Sequence, residues 1–255
     1  MTTAHLLGTA WTFDPFAIAI CAVALAVYAW RMRGGRSALA FAAAAAFLLV
    51  FVSPIGVLAR GYLFSAHMMQ HLTLVLVVPP LALLSLPARD AIAARSGPGP
   101  RGGARFGAWA LGLGAMWLWH APTLCDAAAT SLSVQRVQTL SLLAMGGAFW
   151  WPIFAPRAEQ RLAPMASVVY LFTACVGCTL LGVWVTFSPV TPCSIYAHPV
   201  DTLGALPLLR QGWGLGPRAD QEVGGLMMWV PACLVYASAI LAMLARYYRE
   251  EAAFA

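Results

Sequence analysis

Seven apolar runs, each long enough to cross a bilayer, leave this chain one class of fold. About 20 apolar residues span the hydrocarbon core as a helix. Runs of that kind lie near 15–31, 38–57, 62–86, 106–125, 136–154, 164–187 and 223–246. Lipid offers no partner to backbone N–H and C=O groups, so apolar spans of this length are helices packed on one another. Only 9% of the residues are charged, where a soluble domain carries about 25%. The expectation is an all-α integral membrane protein, a seven-transmembrane-helix bundle forming a single domain over residues 1–255. No internal repeat or soluble domain is visible. Six cysteines spread over 255 residues do not suggest a disulfide framework, and most fall inside apolar spans as small hydrophobes.

Orientation follows from the arginines, which supply every basic side chain apart from the histidines. Arg31, Arg33, Arg36, Arg89, Arg95, Arg101, Arg105, Arg157, Arg161, Arg246 and Arg249 fall on one side of the expected spans. Arg60, Arg136, Arg210 and Arg218 fall on the other, eleven against four. The positive-inside rule then puts the N-terminus outside and the C-terminus in the cytoplasm. Arginines at span ends orient helices, so the formal charge of +6 does not signal nucleic-acid binding. No basic segment precedes the first apolar run, so no cleavable signal peptide is expected. Pro79-Pro80 should kink the third span or interrupt its hydrogen bonding, and Gly97–Gly103 reads as a loop.

Within this apolar frame a few residues stand out. His67 and His71 lie one helical turn apart, on one face of the third span. Ionisable side chains inside a membrane are costly and mark functional sites by default. With the N-terminus outside, these histidines sit roughly 8–14 Å below the outer end of their span. His120 closes the fourth span in Trp-Leu-Trp-His-Ala-Pro, as a ligand or an interfacial anchor. Met68, Met69, Met227 and Met228 offer thioethers at similar depth, although methionine also fills gaps between helices. Cys175 and Cys178 share one face of the sixth span, as a soft-ligand pair or as buried small hydrophobes. Asp220 opens the seventh span, where helix capping competes with a site role. His198, in the long outer loop with Cys193, reads as an ordinary loop residue.

Three motifs, His-Met-x-Gln-His, Trp-His-x-Pro and Asp-Gln-x-x-Gly-Gly-x-x-x-Trp-Val-Pro, occur in this order and open or close the third, fourth and seventh spans. Together they resemble the CtaG-type cytochrome c oxidase assembly factors, multi-pass proteins of the bacterial plasma (inner) membrane. The resemblance covers almost the whole chain. It implies a part in building a haem–copper oxidase, with that oxidase's subunits as partners, and it carries over His67, His71, His120, Asp220 and Gln221. The Cys175/Cys178 pair has no counterpart in the family pattern.

Residue chemistry adds copper to this picture. Cuprous ion takes imidazole and thioether ligands. His67 and His71 would form the base of a site that His120 closes, loaded by a periplasmic copper donor. Met68 and Met69 are 100° apart around their helix, so at most one joins. Asp220 would orient a histidine ring by accepting its distal N–H. The face continues into Leu74 and Val75, a closed floor rather than a channel. No nucleophile or acid–base pair suggests catalysis, so the chain reads as a metallochaperone and not an enzyme. Zinc suits histidine and carboxylate ligands too. The main rival is a haem-binding or quinone-reacting electron-transfer protein, with His71 and His120 ligating haem from two helices. A transporter or receptor fits poorly without midplane polar groups or repeated halves. A metal-free structural partner of the oxidase is the remaining reading.

Overall fold

The computed structural model describes residues 1–31, 35–87 and 102–252. Arg33, Arg89, Arg95 and Arg101, and most of the loop expected at 97–103, lie outside them. The described residues are 81% helical and contain no strand. Among the described residues, four continuous helical stretches are long and apolar enough to cross a membrane: Phe64–Ser85, Leu132–Phe154, Pro164–Phe187 and Pro217–Ala252. Two shorter apolar helices, α2 (Pro15–Arg31) and α3 (Ser37–Val52), accompany them. A short α1 (Thr3–Thr9) precedes both.

Proline sets most of the helix boundaries. The run expected at 38–57 breaks at Ser53, which is extended ahead of Pro54. The hydroxyl of Ser53 accepts from the Ile55 N–H and starts α4 (Pro54–Ala59). The run expected at 106–125 likewise divides into α7 (Gly102–Trp119) and α8 (Pro122–Thr130), with Pro122 at the first helical position. Cys125 therefore leaves the span and falls on α8.

The third run carries His67 and His71 and is the least regular. It consists of α5 (Phe64–Leu72), a five-residue π turn over Thr73–Val77, and α6 (Val78–Ser85). Pro79 has no N–H to give to the carbonyl of Val75 four residues back. Trp150, on α9 (Leu132–Phe154), supplies the missing donor, its indole N–H lying 2.8 Å from the Val75 oxygen. Trp150 is buried, so Trp150→Phe would leave that carbonyl unpaired and cost about 1–3 kcal/mol. Thermal unfolding in detergent checks this, and an unshifted midpoint would show that the indole is not the replacement donor.

The longest contact in the bundle joins α10 (Pro164–Phe187) to α11 (Pro217–Ala252); α7 packs on α9, and α5 on α11. Gly224 and Gly225 let α11 approach both α5 and α10 closely. A Cβ at Gly224 would stand 2.5 Å from the Phe64 ring, and one at Gly225 would stand 2.3 Å from the Thr186 hydroxyl. The backbone of α11 thus passes between α5 and α10 with no side chain intervening. Phe149, Trp150, Tyr170 and Tyr236 fill the middle of the bundle, with ring centroids 5.0–6.1 Å apart.

A second, smaller core covers one end. Leu6 from α1, Leu58 and Ala59 from α4, and Ala205 and Leu209 from the segment between α10 and α11 pack together there. Tyr62 and Thr202 join hydroxyls at 3.0 Å, and the Trp213 indole donates to Thr3. A disulfide, Cys125–Cys193, ties α8 to the same segment. Only Cys125, expected at the end of the fourth span, departs from the reading of the span cysteines as free small hydrophobes. The remaining four, Cys21, Cys175, Cys178 and Cys233, are free.

Candidate functional site

Under this cap the three imidazoles meet. His67 and His71 come from α5, and His120 from the turn just beyond α7; each is 1% exposed. Ring centroids are 4.4 Å apart between His67 and His71 and 5.2 Å apart between His71 and His120. Helical spacing accounts for the first pair, and the second forms because the His120 side chain, at the turn beyond α7, reaches α5, where it also meets Met68.

Each ring is held differently. His120 Nδ1 lies 2.6 Å from the Met116 carbonyl, which can only accept, so Nδ1 carries the proton. In the neutral ring the lone pair is then on Nε2, which faces the Met68 sulfur at 3.1 Å. Both ring nitrogens of His67 and both of His71 are buried without a hydrogen-bond partner. Leaving a polar group in that state costs about 1–3 kcal/mol each, a penalty that a ligand contacting both rings would relieve.

Three thioethers expected near the site prove less relevant than Met68. Met68 is fully buried and points at His120, whereas Met69 is only half-buried. Met228 lies on the α10–α11 seam, where its carbonyl accepts from the Cys178 thiol, and Met227 packs at the core's edge. Cys178 and Cys175 lie on that same seam.

The acidic and amide residues are clamps. Asp220 was expected to accept from an imidazole or to cap its own helix. Its carboxylate instead accepts from the Phe64 N–H at 2.6 Å, the Ser65 N–H at 3.0 Å and the Ser65 hydroxyl at 2.5 Å. Leu63 at the N-cap has no side-chain oxygen and the first turn of α5 has no acid, so Asp220 caps the histidine helix from α11. Gln221 next to it donates from Nε2 to the carbonyls of Val185 and Ser188, closing the end of α10. Adjacent residues thus fix two different helices to α11.

Two further residues belong to this site and carried no sequence signal strong enough to single them out. Gln138, on α9, is buried close to His71 but outside hydrogen-bonding geometry, and its Nε2 lacks a hydrogen-bond partner. Tyr196 covers His67 with ring centroids 5.8 Å apart, and its hydroxyl donates to the Ala59 carbonyl at 2.7 Å. Burial, reinforced by Asp220 and Asp126, pushes that hydroxyl above the ordinary tyrosine range and keeps it protonated. Asp126 holds the Tyr196 segment by accepting from the Ser194 hydroxyl and the Ile195 N–H. His198 is exposed in the same segment, apart from the cluster.

Among the described residues no three His, Cys, Asp or Glu side chains already stand in ligating geometry. Histidine χ2 is a soft torsion, and a shared ligand would require the rings to turn about it.

The family model described as cytochrome c oxidase caa3 assembly factor (Caa3_CtaG) matches residues 21–250. No curated protein and no solved structure matches significantly.

Proposed function

Because the chain belongs to the cytochrome c oxidase caa3 assembly factor family, we propose that it binds copper at the imidazole cluster and passes it to the oxidase. The observation that carries this reading is the set of four buried, unpartnered nitrogens on His67 and His71 beside the His120–Met68 contact. Three imidazoles and one thioether form a soft donor set without a carboxylate, which favours cuprous copper over hard cations. The ion is cargo, and Tyr196 and its segment stand over the side from which it would enter. A periplasmic donor and the oxidase subunits are the proposed partners. No group in the cluster is arranged as nucleophile and base, so the role is delivery and not catalysis. Haem fits less well. An axial nitrogen stands roughly 2 Å from its metal, and a macrocycle must pass between two such ligands, whereas His71 and His120 touch edge to face at 5.2 Å.

The same proposal includes seven spans with the N-terminus outside. The arginine excess lies at the end opposite the cluster, where Arg105, Arg161 and Arg246 bond to chain carbonyls. The Cys125–Cys193 disulfide lies at the cluster's end, and disulfides persist on the oxidising side of a bacterial plasma membrane.

Elemental analysis of anaerobically purified protein tests the reading. Wild type should retain copper, and His71→Ala should retain at least tenfold less, in line with the 10- to 100-fold losses seen when a metal site loses a support. Equal metal content in the two proteins, or a Soret band in the absorption spectrum of the wild type, would overturn it.

A further inference from the structure

The seam between α10 and α11 holds a second group of soft side chains, and neither helix carries an imidazole of the cluster. Cys175 on α10 and Cys233 on α11 face each other with sulfurs 3.2 Å apart. The Thr179 hydroxyl lies 3.3 Å from the Cys233 sulfur. Cys178, one turn further along α10, is turned away, its thiol donating to the Met228 carbonyl at 3.6 Å. Cys175 and Cys233 are partly exposed, and Phe172, Val176, Val230 and Leu234 around them are exposed apolar side chains. Cys175 is near the middle of α10, about 17 Å from either end at 1.5 Å per residue. The pair therefore faces the interior of the bilayer, out of reach of either aqueous phase.

We infer that Cys175 and Cys233 form a reversible disulfide site, oxidised by a lipid-soluble quinone. Both thiols lose their protons and one S–S bond forms. The two electrons and two protons pass to the quinone, whose two carbonyl oxygens become the hydroxyls of a hydroquinone. A disulfide bond is about 2.05 Å long, so closing it requires the sulfurs to approach by little more than 1 Å. Dithiol and disulfide are both uncharged, so the low dielectric penalises neither state, whereas a metal held by two thiolates would leave charge in lipid. The quinone oxygens take the protons as the sulfurs give up their electrons, and the Thr179 hydroxyl is placed to donate to the negative charge that develops on the Cys233 sulfur. Once closed, the bond staples α10 to α11 at mid-depth.

The test uses full-length protein in chelator-treated phosphatidylcholine vesicles under argon, so its result is independent of copper at the histidines. The oxidant is a fully ring-substituted benzoquinone, which cannot add covalently to thiols, and glutathione disulfide serves as the water-soluble comparison. Thiols are counted after denaturation by maleimide mass tagging. Quinone should reduce the count from four, Cys21, Cys175, Cys178 and Cys233, to two, with a linked peptide joining 175 to 233. Cys178→Ser should close the same link, and Cys233→Ser should keep all its remaining thiols. An unchanged count after quinone, a link through Cys178, or equally fast closure by glutathione disulfide would each overturn the proposal.

Discussion

Asp220→Ala should lower the unfolding free energy by about 3–5 kcal/mol, because several buried donors lose their acceptor together and each costs about 1–3 kcal/mol when left unpaired. Three donors lose their acceptor at once, the N–H groups of Phe64 and Ser65 and the Ser65 hydroxyl, all of them buried. None can reach water, and α5 has no cap of its own to substitute. The carboxylate also opposes the positive end of the helix dipole, an attraction lost together with the hydrogen bonds. Asp220→Asn keeps an acceptor oxygen without the charge and should fall between the two. Thermal unfolding in detergent measures the series. Because His67 follows Phe64 by three residues, fraying of this turn should also loosen the cluster, so Asp220→Ala should lose copper although it contributes no ligand. If alanine and wild type unfold together, the cap is not what holds the start of α5.

Replacing Cys125 and Cys193 together by serine should be the second large loss. The bond closes a loop with a sequence separation of 68, for which chain entropy sets an upper limit of about 4 kcal/mol. Helices that stay inserted in the membrane already restrict the unfolded chain, so the measured value should fall below that limit. Its position gives the loss a functional side. Cys125 follows His120 by five residues, and Cys193 precedes Tyr196 by three. The bond therefore joins the turn bearing one imidazole to the segment that covers another. The double variant should exchange copper faster than wild type, as followed by transfer to a colorimetric cuprous chelator, even where its retained copper at equilibrium is similar. Unchanged transfer kinetics would mean that the cover opens independently of the disulfide.

Much of this was legible in the sequence because it depends on local pattern. The apolar runs, the helical spacing of His67 and His71, and the disruption at Pro79-Pro80 depend on neighbours within a few residues. So does the rule that only one of Met68 and Met69 can join the histidines. What was not legible depends on which helix lies beside which. Asp220 stands at a helix start, and no local rule reveals that the turn it caps lies 156 residues away. Gln138 sits in a span whose polar residues show no periodicity, and only the packing of α9 brings it to His71. Cys125 seemed to end a span until Pro122 was seen to begin a new helix, which carries it to the cap and within reach of Cys193.

The length of α11 has a consequence for encounters with soluble proteins. Its 36 residues make a rod of about 54 Å at 1.5 Å per residue, while the hydrocarbon layer is about 30 Å thick. Since Asp220 and Gln221 pin its first turn beside the histidines, the excess length must emerge at the opposite face. There Arg246, Arg249, Glu250 and Glu251 make its last turns charged, with Arg246 still held to the Leu162 carbonyl. Whatever docks on those turns touches a helix that runs, through Pro231, to the very turn that secures the histidine helix.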